Sequence, residues 1–151
     1  MINLETKIPP PIVAIISGVI ISASSTIINP FEFYGAKLIA MLFLILSFSL
    51  IVISIRKFNH SETSINPMTP KAATKLLSTG VYAVSRNPMY LGLVGILSGI
   101  SIILGSWFGF LVIPIFVLYI NKYQITPEER AMKELFQDEY LSYCDKVRRW
   151  F

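Results

Sequence analysis

The chain has 151 residues, of which 54% are apolar and only 15% charged, and its mean hydropathy is +0.63. That length bounds it to one domain, and its long charge-free runs exclude an ordinary soluble one. The net charge of +4 is not laid out as a basic stripe interleaved with aromatics, which excludes nucleic acid as the partner. A single cysteine, Cys144, and a single histidine, His60, exclude an internal disulfide and supply too few ligands for a metal site; His60 sits among polar residues and reads as a solvated loop side chain.

Two apolar runs open the chain, at 11–28 and 36–55, each near the ~20 residues that cross a bilayer. The first contains Ser22-Ala23-Ser24, small residues of the kind found at a leader cleavage site. Lys7 is the only basic residue ahead of it and further apolar runs follow, so it reads as a span. A third run, from Tyr90 to Ile120, is too long for one crossing. Gly105-Ser106 breaks it, which predicts a tight helical hairpin with arms at 90–104 and 107–120. The expectation is an all-α integral membrane protein with about four transmembrane helices in one membrane domain, 1–151. With four crossings, the N-terminus, the loop 56–89 and the tail 121–151 share one side. Twelve of the 13 Lys and Arg residues fall there and only Lys37 opposite, so that side is expected to be cytoplasmic and to meet anionic lipid headgroups.

In the loop, Thr69 before Pro70 has the form of an N-cap and first helical residue. It predicts a short interfacial helix over 71–77, carrying Lys71, Lys75, Leu76 and Leu77 and stopping near Gly80. Asn87 before Pro88, within "SRNPMY" (85–90), has the same form at the head of the third span. Capping accounts for both residues, and Arg86 could simply anchor the helix end among lipid phosphates. Unpaired N–H groups at such a start also favour an anion.

In the tail, Thr126, Pro127 and Glu129 have the pattern of a capping box. Met132, Leu135, Phe136, Tyr140, Tyr143 and Val147 recur at three- and four-residue steps and predict an amphipathic helix. Glu128, four residues before Met132, lies over the apolar stripe. Glu129 leads to Lys133 on the polar edge, where an ion pair is expected. The hairpin brings Glu128 to the membrane face that carries Arg86 and Asn87, among Tyr82, Tyr90, Tyr140 and Tyr143. A helix end and Arg86 suit a carboxylate, tyrosine faces suit a cation, and Glu128 suits ribose hydroxyls or an ammonium. S-adenosylmethionine has all these parts and many metabolites have some; spacing alone does not choose.

The stretch Gly80-Val81-Tyr82, then Arg86-Asn87-Pro88-Met89-Tyr90-Leu91-Gly92, a hairpin, and Glu128-Glu129 with Phe136 and Tyr140 beyond resembles the isoprenylcysteine carboxyl methyltransferase and phospholipid methyltransferase family, over roughly residues 70–150. The resemblance implies an integral membrane enzyme that moves a methyl group from S-adenosylmethionine to a lipid-borne acceptor, leaving S-adenosylhomocysteine. Carried over by position, it implies a cofactor site lined by Thr74, Lys75, Leu76, Leu77, Tyr82, Asn87, Pro88, Met89 and Tyr90 and completed by Glu128 or Glu129. The helical-face reading favours Glu128, and Arg86, Asn87 and Glu128 are expected to position the reactants. Family members often have His where this chain has Asn87, and Asn cannot shuttle a proton. The prenylcysteine branch carries an Arg about one turn before the glutamates; here Lys122 and Gln124 occupy that stretch, and Arg148 is a further candidate for the substrate. With no base near Asn87, the expected acceptor is an ionised isoprenylcysteine-type carboxylate. A phospholipid amine is the alternative, and a non-catalytic four-span scaffold or transport subunit is the alternative of another class. Lipid partners are expected; metal and nucleic acid are not.

Overall fold

The computed structural model describes residues 5–60 and 73–151, and among them every regular element is helical. In chain order these are α1 (Pro10–Ser24), α2 (Ala36–His60), a 3-10 turn (Gly80–Ala83), α3 (Pro88–Ile103), α4 (Gly109–Ile120), a π-helical turn (Asn121–Ile125) and α5 (Thr126–Lys146). Two runs are long and apolar enough to cross a membrane, Ala36–His60 and the continuous Gly109–Lys146, whose apolar part is α4; α1 and α3 are shorter apolar helices. Apolar side chains such as Ile15, Val19, Leu46, Phe48, Phe110 and Leu118 are exposed, a pattern that suits helices packed in lipid.

α3 is the centre of the bundle. The buried residues of α2 are Ala40, Ser47 and Ser54, small side chains at seven-residue steps. Ser47 meets Gly92 and Gly95 of α3 and Ala40 meets Gly99: an added Cβ would lie 3.0 Å from the Ser47 carbonyl oxygen at Gly92, 2.0 Å from Ser47 Oγ at Gly95, and 3.2 Å from the Ala40 carbonyl oxygen at Gly99. Small residues on both sides let the two backbones approach closely, the usual basis of helix association in lipid. On the other side of α3, α1 and α4 pack around Ile21, Leu97, Val112 and Phe116. The turn between α3 and α4 falls at Gly105, as its sequence predicts. Its φ is +60°, and a Cβ there would meet the Phe31 carbonyl oxygen at 2.3 Å.

Boundaries shift where side chains compete for the backbone. α1 stops at Ser24, short of residue 28, because Ser24, Ser25 and Thr26 donate their hydroxyls to the carbonyls three residues back, at 2.7 to 2.8 Å. α2 instead runs past residue 55 to His60, with Lys57 and His60 in a last turn whose dipole favours them. His60 is thus exposed in a helical turn and not in a loop.

Two expected features are absent. The interfacial helix over 71–77 does not form across 73–77; Thr69, Pro70 and Lys71 lie outside the described residues. Lys75, Leu76 and Leu77 all face one cavity, which three consecutive residues of a helix with 3.6 residues per turn do not. The capping box at Thr126 is also missing, because α4 never stops. Thr126 is already helical (φ −61°, ψ −45°), and its hydroxyl donates to the Asn121 carbonyl five residues back, at 2.8 Å. A helix that is already running has no vacant N–H groups to cap, and the chain passes from α4 to α5 through the π turn. Further on, Gln137 (φ 43°) breaks α5, so its apolar stripe is carried in two pieces and Leu135 is left exposed.

Candidate functional site

Where α1 begins, α2 ends and α3 begins, the bundle encloses a cavity of about 380 Å³. Pro9, Pro10 and Pro11 form one wall, Ile51, Ile55 and Phe58 of α2 another, and α5 closes it with Met132, Tyr140 and Tyr143. Of the residues singled out in the sequence, Lys75, Leu76, Leu77, Tyr82, Arg86, Asn87, Pro88, Met89, Tyr90, Glu128 and Glu129 all line it. Thr74 is exposed and outside the lining. Lys122, Gln124 and Arg148 are not brought there: the Lys122 ammonium lies 5.2 Å from the Tyr123 ring, Gln124 is fully buried with Nε2 donating to the Ile8 carbonyl at 2.7 Å, and Arg148 is exposed. The π turn accounts for part of this, since one extra residue per turn rotates the side chains before it away from the direction a regular helix gives.

The apolar stripe of α5 turns Glu128 inward, as its spacing to Met132 indicates. Its carboxyl is half-buried and accepts a hydrogen bond from Tyr90 Oη at 2.5 Å. Burial pushes it up to about 7; the bond from Tyr90 acts in the opposite sense, and the neighbouring Glu129 adds to the rise. Tyr82 is held beside it: Tyr143 Oη donates to the Tyr82 carbonyl at 2.6 Å, and the Phe58 ring stands edge-on to the Tyr82 ring at 5.5 Å. Burial also raises the Tyr82 phenol, whose hydroxyl lies near Ser54.

Glu129 does not pair with Lys133. Its carboxylate accepts hydrogen bonds from Arg86 Nη2 at 3.0 Å and from Arg149 Nε at 3.1 Å and Nη2. Asn87 occupies the N-cap position with Pro88 after it, yet its side chain does not cap α3. Its Nδ2 donates instead to the Arg149 carbonyl at 2.9 Å, while its backbone N–H goes to Ser85 Oγ at 3.1 Å. The Arg86 backbone N–H donates to the Arg148 carbonyl at 3.0 Å. Residues 148–149 are thus stitched along "SRN". Sequence reasoning missed this role of Arg149, and no local spacing signals it, because its partners lie 20 and 62 residues away.

Much of the chain is similar to known proteins. Residues 36–139 match the family described as Phospholipid methyltransferase. The chain belongs to that family. It is 45% identical over 62 residues to an uncharacterized protein of Haemophilus influenzae, a match covering 41% of this chain and 98% of the other. It is 35% identical over 96 residues to the Protein-S-isoprenylcysteine O-methyltransferase of Saccharomyces cerevisiae, covering 63% of this chain and 40% of the yeast protein. No solved structure matches. The phospholipid methyltransferase family makes this chain a methyltransferase, and with the two helices able to cross a bilayer it points to a membrane. Among the described residues no group of three or more His, Cys, Asp or Glu gathers.

Proposed function

We propose that the chain transfers a methyl group from S-adenosylmethionine to a lipid-borne acceptor, in a four-span fold whose loop and tail face the cytoplasm. One observation carries this reading: a single cavity joins a half-buried carboxyl, tyrosine faces, a helix start with an arginine, and apolar walls at the ends of α1 and α2. The residues fit the cofactor part by part. Glu128 suits its ammonium or ribose hydroxyls, Tyr82, Tyr140 and Tyr143 suit its sulfonium, and Arg86 with the start of α3 suits its carboxylate. A volume of about 380 Å³ lies within the usual range for such pockets. When bound, S-adenosylmethionine supplies a methyl carbon whose bond to sulfur breaks, with the electron pair staying on sulfur, as the acceptor atom bonds to it. The chain's own part is to orient the reactants and exclude water, effects worth up to about 7–11 kcal/mol when alignment is good.

Likeness to the yeast enzyme supports an isoprenylcysteine-type carboxylate as acceptor. A second reading, a phospholipid amine, is favoured by Glu128. Contrary to the expectation of no base near Asn87, this carboxyl stands in the cavity with an affinity for protons near neutral pH, suited to taking a proton from an ammonium. The residues expected to hold an acceptor carboxylate, Lys122, Gln124 and Arg148, also lie outside the cavity. Calorimetric titration with S-adenosylhomocysteine, beside Glu128→Ala, tests the cofactor: binding by the wild type that the substitution abolishes is expected, and a folded wild type without binding returns the chain to a scaffold. Labelled methyl groups in lipid extracts then separate the acceptors, since alkali releases methanol from an ester and leaves an N-methyl group in place.

A further inference from the structure

We propose that Arg149 sets the charge of one corner of the cavity: by neutralising Glu129 it leaves the Arg86 guanidinium unspent and able to hold a ligand's carboxylate. The inference rests on the S-adenosylmethionine reading, whose amino-acid carboxylate is the anion concerned. Arg86 and Glu129 line the cavity and Arg149 does not. Exposure rises outward, from 15% for the Arg86 side chain to 21% for Glu129 and 38% for Arg149. Arg149 contacts both oxygens of Glu129, through Nε and Nη2, whereas Arg86 reaches one, through Nη2. The Nε of Arg86 is buried and has no hydrogen-bond partner among the described residues. Two guanidinium groups around one carboxylate leave one positive charge, beside the start of α3, whose dipole has the same sign. Without Arg149, Arg86 and Glu129 form a neutral pair and the corner loses its attraction for an anion.

Arg149 is fixed well enough for this task. Its carbonyl receives hydrogen bonds from Asn87 Nδ2 at 2.9 Å and Ser85 Oγ at 3.4 Å, and Trp150 Nε1 next to it donates to Asn121 Oδ1 at 3.2 Å. It acts through Glu129 and is therefore a positioning residue.

The test compares two ligands on the full chain in detergent. S-adenosylhomocysteine carries the carboxylate; S-adenosyl-3-thiopropylamine keeps the base, ribose, thioether and ammonium and lacks only that group. Arg149→Gln is expected to weaken the first about tenfold and the second by less than about twofold, the size of one charge interaction in a half-buried setting. Adding Glu129→Gln to Arg149→Gln removes the negative charge, leaves Arg86 unspent again and restores the preference for the carboxylate. Equal weakening of both ligands by Arg149→Gln, or a double variant without the preference, overturns the proposal while the cofactor reading stands. Should Arg149→Gln fail to fold, the double variant, which has no unpaired carboxylate, is compared with wild type, and loss of its preference is the overturning result. Wild type that binds neither ligand overturns the cofactor reading, and this proposal with it.

Discussion

Packed against Tyr90, the Glu128 carboxyl keeps its proton until about pH 7, and two measurable consequences follow from the sign of that shift. Between the ordinary carboxylate range and about 7, the folded chain binds a proton that the unfolded chain has released. Stability from this group is therefore present at low pH and lost as pH rises through about 7. Glu128→Gln removes the cost of the buried charge, so the substitution raises the melting temperature at about pH 8, by up to roughly 3 kcal/mol of stability, and the gain disappears toward about pH 5. Thermal unfolding in detergent across that range checks it; a gain that does not vary with pH would show that the carboxyl is not the cause. A ligand's ammonium reverses the preference. Binding of S-adenosylhomocysteine, whose ammonium favours the ionised carboxyl, should tighten as pH rises through about 7 and release a proton, seen as binding heats that differ between buffers of unlike ionisation enthalpy. That Glu128 faces inward was legible from its spacing to Met132. The partners of Glu129 were not, because Arg86 and Arg149 arrive from 43 and 20 residues away, and a helical spacing rule sees only Lys133.

At the scale of helices, the α2–α3 seam sets where the cavity wall stands, since Ile51 and Ile55 on α2 and Met89, Tyr90 and Leu93 on α3 line the cavity together. A Cβ on Gly95 would sit 2.0 Å from Ser47 Oγ and 3.1 Å from Ser47 Cβ. Gly95→Ala should then cost about 1–3 kcal/mol by overpacking. Adding Ser47→Gly removes the obstructing atoms and should return most of it, a coupling that a double-mutant cycle by thermal unfolding reads directly. Additive losses would mean that the seam relaxes elsewhere. Helices were legible where a local feature decides them: Gly105 takes a positive φ at the hairpin turn, and Pro88 begins α3. They were misread where a distant surface decides. Leu76 packs on the Tyr140, Tyr143 and Val147 cluster, which spreads 73–77 out of a helix despite its helical pattern. Thr126 has every local mark of an N-cap, yet the helix arriving from α4 makes a cap redundant.

Across the whole molecule, α1 packs on α3 and α4 while α2 packs on α3, and the cavity lies between the start of α1 and the last turns of α2. Pro9, Pro10 and Pro11 stand on one side of it, and Ile51, Ile55 and Phe58 on the other. All six are apolar, whereas the charged cavity residues lie on the loop segments and α5. One chamber thus combines charged groups suited to a soluble cofactor with apolar walls suited to a lipid chain, and a route for the acceptor between α1 and α2 would never carry its tail through water. Ile55→Trp tests this division. The larger ring on the α2 wall should leave the dissociation constant of S-adenosylhomocysteine within about twofold, while lowering kcat/KM for a long-chain acceptor at least about tenfold, since a blocked fit costs on the order of 1–3 kcal/mol. A short-chain, water-soluble analogue of the same acceptor has no tail to obstruct and should lose little. Equal losses for the long and short acceptors would place the tail elsewhere, and loss of S-adenosylhomocysteine binding would show that the α2 wall also holds the cofactor.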